Sequence, residues 1–205
     1  MRKLIAAGLV LGAFALAIAH AEPRSAGQFS SINARGQFRV EVVAGPQSVD
    51  VSGPDANRIA VHTEGGELVL SLVNPPWFGR EPHLDAVVHV STPRLEHLRA
   101  SRGASVHAVD VRADAFDAAA SMGGELEVAG VCRQLDADAS MGGVVNAASL
   151  TCASVHADAS MGGVISASAH QSAEGSASMG GTIAFSGNPA QRNRHAIMGG
   201  DVHFD

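Results

Sequence analysis

The stretch Ser121-Met122-Gly123-Gly124 decides the fold, because it returns unchanged at Ser140–Gly143, Ser160–Gly163 and Ser178–Gly181. A degenerate fifth copy reads Ile197-Met198-Gly199-Gly200, and the five methionines Met122, Met141, Met161, Met179 and Met198 are 19, 20, 18 and 19 residues apart. A period that steady is the signature of one structural unit stacked on itself.

Alignment on the repeat serine exposes a second regularity. Five residues after it stand Val106, Leu126, Val145, Ile165, Ile183 and Val202; seven after it stand Ala108, Val128, Ala147, Ala167, Phe185 and Phe204. Before it, Phe116, Leu135 and Val155 are followed by the alanine pairs Ala118/Ala120, Ala137/Ala139 and Ala157/Ala159. Polar residues fill the gaps, among them Asp117, Asp136, Asp138, His156, Asp158, Glu127, Asn146 and His203. An alternation of period two means strands with one buried and one wet face. Each repeat is therefore read as two short strands joined at Gly-Gly, where glycine tolerates backbone angles that other residues resist. A strand stacked on its equivalent in the next repeat, about 4.8 Å away, builds parallel sheets. The expected fold is all-β: a single-stranded parallel β-helix of about six coils of 18–20 residues. Right-handed winding is favoured, as for parallel crossovers generally. The paired alanines should keep its cross-section narrow.

Ser101-Arg102-Gly103-Ala104 lies 20 residues before Ser121 and reads as the first, irregular coil. Upstream, Gln37–Val43, Ser48–Ser52, Arg58–Thr63, Glu67–Val73 and Leu84–Ser91 alternate as further strands, with Glu64-Gly65-Gly66-Glu67 a hairpin turn between two of them. This region is expected to cap the N-terminal end of the stack. Residues 22–205 then form a single domain, with strands and cap over 22–95 and repeat coils over 96–205.

The chain begins with a secretory signal pattern: Arg2 and Lys3, an apolar run from Leu4 to Ala19, and Ala19-His20-Ala21 as the cleavage motif. The run is short for a membrane span. Cleavage before Glu22 removes two of the 14 basic residues and leaves 12 against 20 acidic ones, a net charge of −8. That balance argues against nucleic acid, which needs clustered basic residues, and against anionic lipid. No later segment is long and apolar enough to span a membrane as a helix. Export places the protein in the periplasm or at the cell surface.

The strand and turn segments Phe29-Ser-Ser-Ile32, Phe38-Arg-Val-Glu-Val42, Val49-Asp-Val-Ser-Gly53, Glu67-Leu-Val-Leu-Ser71 and Val87-Val-His-Val-Ser-Thr-Pro-Arg-Leu95, with the serine-plus-glycine coils, carry a resemblance. Over roughly residues 29–205 the chain resembles the putative auto-transporter adhesin head GIN domain family. Its coils usually carry Ser-Gly-Ala-Gly where this chain has Ser-Met-Gly-Gly. The resemblance implies an envelope-associated β-helix with an adhesive role and no agreed catalytic residues. The chain is too short to hold an outer-membrane translocator barrel as well.

Four features carry candidate chemistry. Cys132 and Cys152 each precede a repeat serine by eight residues, so they share a position in successive coils. In-register parallel neighbours lie within disulfide range, and an exported protein meets oxidising conditions. The methionine column could offer soft thioether ligands, but histidine does not recur at a fixed offset from it, so apolar filling beside the turns is the expectation. Asp117, Asp136, Asp138 and Asp158 fall on one outward face, where they form a solvated surface or, as the alternative, the carboxylates of a small polysaccharide-active enzyme. The third alternative is a scaffold that self-assembles end to end. Finally, Asn74-Pro-Pro-Trp-Phe-Gly-Arg-Glu-Pro-His83 holds Trp77 and Phe78, which either contact a partner or cover the open end of the stack.

The sequence thus points to a non-catalytic exported envelope protein that binds a protein or glycan. No cofactor, metal or catalytic residue is assigned. The glycines Gly123, Gly124, Gly142, Gly143, Gly162, Gly163, Gly180, Gly181, Gly199 and Gly200 form the turns. Weak self-association is expected at the C-terminal edge, where Asp201, His203 and Asp205 alternate with Val202 and Phe204.

Overall fold

A computed structural model describes residues 22–23, 27–75 and 82–205. The secretory signal pattern, Trp77 and Phe78 lie outside the described residues. The strands are β1 (Glu22–Pro23), β2 (Ser31–Arg35), β3 (Arg39–Ala44), β4 (Ser48–Ser52), β5 (Ile59–Glu64), β6 (Glu67–Leu72), β7 (Val87–Thr92) and β8 (His97–Ser101). They continue as β9 (Ser105–Ser121), β10 (Glu125–Ser140), β11 (Val144–Ala159), β12 (Val164–Ala177), β13 (Thr182–Ser186), β14 (Gln191–Ala196) and β15 (Asp201–Phe204). One short 3₁₀ turn, Ala56–Arg58, interrupts them. Six tight turns in register, from Ser101 to Gly200, delimit about five turns of a β-solenoid.

The core is two facing columns of unequal bulk. On one sheet the inward residues are Ala118, Ala120, Ala137, Ala139, Ala157, Ala159 and Ala177, all buried. Opposite stand Val106, Leu126, Val128, Val145, Ile165, Ile183 and Phe185, equally buried. Methyl groups on one wall and branched or aromatic side chains on the other fill a narrow interior, since a core must approach crystal-like density. Gly175 extends the rule: a Cβ there would lie 2.7 Å from the Phe185 ring, so the small wall gives way where the large wall carries phenylalanine.

The repeat differs from the expected two short strands. Each of β9 to β12 is one strand of 14 to 17 residues that runs from one Gly-Gly turn to the next. It bends at the far corner without losing its neighbours. The bend is made by bulges: the β9–β10 pairing shifts between Val128 and Gly130, and the β11–β12 pairing between Ala147 and Thr151. Asp110 takes a left-handed φ of 58° at this corner, and Gly130 takes 146°. These bulges absorb the unequal repeat lengths. Across β9–β10 the partners Ala108 and Val128 are 20 residues apart, whereas Val111 and Gly130 are 19 apart. Both faces keep their register because the bulged corner takes up the odd residue.

The N-terminal region is threaded in an order that the sequence does not advertise. β2 lies between β6 and β8, and β3 lies between β7 and β9, all parallel. The coil made by β2 and β3 therefore comes first in the chain but sits inside the coil made by β6 and β7. β4 and β5 pair antiparallel with β7 and β6, and β1 adds antiparallel to the outer side of β4. Glu64 and Glu67 close the β5–β6 hairpin, with Gly65 and Gly66 at positive φ, as a two-residue hairpin turn requires.

At the other end β14 is exposed along its whole length. β14 pairs parallel with β12, and Arg192 and Arg194 stand opposite Ala173 and Gly175, both inward residues. Arg192 lies over the Phe204 ring at 5.4 Å, and Phe204 stacks on Phe185 with ring centroids 5.1 Å apart. The last coil thus carries exposed guanidinium groups in registers where earlier coils carry Phe116, Leu135, Val155 and Ala173, or Ala118, Ala137, Ala157 and Gly175. Charge at inward positions is a recognised guard against strand-to-strand addition.

Candidate functional site

The Ser-Met-Gly-Gly turns assign a separate task to each residue. Both central residues are left-handed: Met122, Met141 and Met161 have φ 49°, Met179 47°, and the glycines that follow have φ 72° to 77°. Gly124 N–H donates to Ser121 O at 2.9 Å, and Gly143, Gly163 and Gly181 repeat that bond. This is the mirror-image turn with positive φ at both central positions. A Cβ on Gly123, Gly142, Gly162, Gly180 or Gly199 would touch nothing within 4 Å, so these glycines serve the backbone angle alone. The second glycines do something else. A Cβ on Gly124, Gly143, Gly163, Gly181 or Gly200 would fall 2.2 to 2.4 Å from a carbonyl oxygen of the preceding coil. They exist because another backbone passes there.

The same geometry corrects the expectation that the methionines fill apolar space. Met122, Met141, Met161 and Met179 are 47% to 50% exposed, and Met198 is 75% exposed. The left-handed turn stands off the edge of both sheets and holds its first central side chain in solvent. Adjacent turns are tied by backbone bonds from Gly123 N to Met141 O, Gly142 N to Met161 O and Gly162 N to Met179 O, at 3.2 to 3.3 Å. The methionines therefore form a regular, half-exposed column along one edge.

Cys132 and Cys152 face each other in register on β10 and β11, with Cα atoms 4.6 Å apart, and are joined as a disulfide. Cys152 is fully buried and Cys132 packs against the core beside it. The bond clamps two coils at the bulged corner, where the ladder is most irregular.

The outward face of the alanine-lined sheet carries two charged ladders. In the first, His97, Asp117, Asp136, His156, Glu174 and Asn193 are consecutive partners across β8 to β12 and β14. In the second, Asp138 stands opposite Asp158. His97 lies 3.6 Å from Asp117, and His156 lies 3.0 Å from Asp158. The Asp138 carboxyl is raised above the ordinary carboxylate range, first by desolvation where it stands close against the sheet. The charges of Asp136, Asp158 and Asp117 raise it further. The nearby His156 opposes the rise. The four aspartates do gather on one face, as expected, beside rather than among the residues that line the hollow next to them.

A cleft lies next to them, unforeseen in the sequence. Gln134, Ser154, His156, Ser172, Glu174, Gln191, Arg192 and Asn193 line a hollow of about 370 Å³ across the last coils, with Val155 and Ala173 at its floor. Asn193 Nδ2 donates to Glu174 Oε1 at 3.1 Å, and Ser154 Oγ donates to Arg133 O at 3.3 Å. Amide, hydroxyl, imidazole, carboxylate and guanidinium groups converge on one concavity. These residues are scattered over 60 positions, and only the stacking of coils brings them together. A smaller apolar pocket of about 80 Å³ is lined by Val42, Thr92, Leu95 and Val111 near the other end. Among the described residues no three His, Cys, Asp or Glu side chains are grouped to hold a metal, and no helix is long and apolar enough to cross a membrane.

Residues 28–189 match the model of the putative auto-transporter adhesin, head GIN domain family. The chain belongs to this family. Among solved structures, a putative adhesin from Bacteroides fragilis is 16% identical with a TM-score of 0.72, the match covering 91% of this chain and 96% of that one. A putative adhesin from Parabacteroides merdae is 12% identical with a TM-score of 0.52, covering 91% and 95%. At such identities the likeness concerns the fold. No curated protein matches the chain.

Proposed function

We propose that this GIN-domain protein is a non-catalytic binding module of the bacterial envelope, exported after removal of residues 1–21, and that it engages an envelope glycan or protein through the polar cleft of its last coils. The observation that carries this reading is the cleft itself, in a family named for adhesion. Its lining of amides, hydroxyls and paired charges offers alternating donors and acceptors over an open surface, which suits the hydroxyl-rich face of a sugar chain. The flanking charged ladders add a rim that steers and orients a polar partner.

Export agrees with the disulfide between Cys132 and Cys152, since such bonds persist in oxidising compartments. It agrees also with the acidic balance, which keeps the protein off nucleic acid and anionic lipid. Self-association through the C-terminal edge is held weak by Arg192 and Arg194.

Binding of the purified protein to isolated envelope material, before and after protease digestion, tests the reading. Saturable binding that survives digestion identifies a glycan, and binding lost on digestion identifies a protein. Absence of saturable binding to either preparation overturns the proposal.

A further inference from the structure

We propose that the methionine column is a binding site for soft monovalent cations, Cu(I) or Ag(I), held between thioether sulfurs of successive coils. Three observations carry it, independently of the glycan cleft. The first is backbone cost. A non-glycine residue at left-handed φ is disfavoured by roughly 1–2 kcal/mol, and Gly, Asn or Asp are the residues that relieve it. Yet Met122, Met141, Met161, Met179 and Met198 all hold φ of 47° to 49°. The turn geometry does not ask for methionine.

The second is exposure. Each of these side chains is about half in solvent or more, so core packing does not ask for methionine either. What the five positions share is an accessible thioether. Thioethers are soft donors that select Cu(I) over Zn(II), Mg(II) or Ca(II).

The third is spacing. The turns repeat in register, tied by bonds from Gly123, Gly142 and Gly162 to the methionine carbonyls of the next coil. Equivalent atoms are therefore separated by the interstrand distance of about 4.8 Å. Two metal–sulfur bonds of roughly 2.3 Å each span about 4.6 Å, so one ion fits between neighbouring rungs with near-linear two-sulfur coordination. The net charge of −8 left after signal cleavage, 12 basic against 20 acidic residues, draws cations towards the surface. The disulfide leaves no free cysteine thiol to compete. Binding is plain coordination: the sulfur lone pairs are donated and no bond in the protein breaks.

Silver is the convenient probe, because Ag(I) needs no reductant and leaves the disulfide intact. Calorimetric titration of the purified protein should show saturation at about two ions per chain, since each sulfur serves one ion and the five rungs Met122 to Met198 make at most two separate neighbouring pairs. With methyl-¹³C methionine, the ladder resonances should shift together. A variant carrying Met122→Leu, Met141→Leu, Met161→Leu, Met179→Leu and Met198→Leu keeps the apolar bulk and every histidine but removes the sulfur. It should bind Ag(I) at least tenfold more weakly with an unchanged circular dichroism spectrum. Peroxide oxidation of the wild-type methionines to sulfoxides, which needs no variant to fold, should abolish the same binding. Zinc should not compete. Silver binding equal in the leucine variant, ladder methyl signals that do not move, or effective competition by Zn(II) would each overturn the proposal.

Discussion

The two glycines of each turn should fail differently when given a methyl group. In Gly142→Ala the new Cβ meets nothing within 4 Å but must accept φ 72°. The left-handed penalty of about 1–2 kcal/mol is partly offset by about 0.4–1 kcal/mol from a stiffer unfolded chain, leaving a loss near 1 kcal/mol. In Gly143→Ala the backbone angle is ordinary, but the Cβ would sit 2.3 Å from Ala120 O and 2.5 Å from Ala120 C. The coils must part by the better part of an ångström to restore a normal contact. That movement strains the intercoil bonds Val144 N to Gly124 O, 2.9 Å, and Gly123 N to Met141 O, 3.3 Å. Overpacking of about 1–3 kcal/mol and two weakened backbone bonds of about 1 kcal/mol each give a loss of roughly 3–5 kcal/mol. Urea unfolding followed by far-ultraviolet circular dichroism measures both variants in one series. Equal losses, or a larger loss for Gly142→Ala, would refute the assignment of angle to the first glycine and close approach to the second.

Three further outcomes follow from the same geometry. Reducing the Cys132–Cys152 bond, which closes a separation of 20 residues, should cost about 3 kcal/mol in the chain-entropy model; denaturant midpoints with and without reductant check it. Asp138→Asn should stabilise the protein near neutral pH. A carboxyl whose folded pKa is raised makes the folded state bind its proton more tightly than the unfolded one, so its charged form destabilises the fold above that pKa. The advantage of asparagine should shrink as pH falls through the raised value, and thermal melts from pH 7 to pH 3 read the trend. Arg192→Ala with Arg194→Ala should increase concentration-dependent association in light scattering, because the open edge of β14 and β15 loses its guanidinium charges. Unchanged association would show that the edge is guarded by something else.

The solenoid was legible in the sequence because its determinants are local and periodic. Val145 and Ile165 repeat every coil, and so do Ala137 and Ala157, and identical neighbours can only stack. The disulfide was legible for the same reason, as Cys132 and Cys152 share a register. The threading of β2 and β3 between later strands was not, because Ser31–Ala44 alternates like any other strand pair. Nothing in alternation says which neighbour a strand will choose. The methionines were misjudged as packing, since a hydrophobic side chain in a periodic chain suggests burial until the turn type is known. Positive φ at Met141 is a property of the whole turn, fixed by the coil that passes beneath Gly143. The cleft was hard to read because its lining comes from two registers, Gln134, Ser154, Ser172 and Gln191 in one and His156, Glu174 and Asn193 in the other, and because the residue type changes from coil to coil, so no motif repeats.

The central claim, that the cleft of the last coils is the binding surface, is tested most directly by comparing wild type with Gln134→Ala, Glu174→Ala and Asn193→Ala combined. All three side chains are exposed and line the hollow, so the fold should tolerate their loss. Fluorescently labelled protein titrated onto isolated envelope material gives an apparent Kd for each. The account predicts binding weakened at least tenfold in the triple variant with an unchanged melting temperature. Equal affinity of variant and wild type would contradict it.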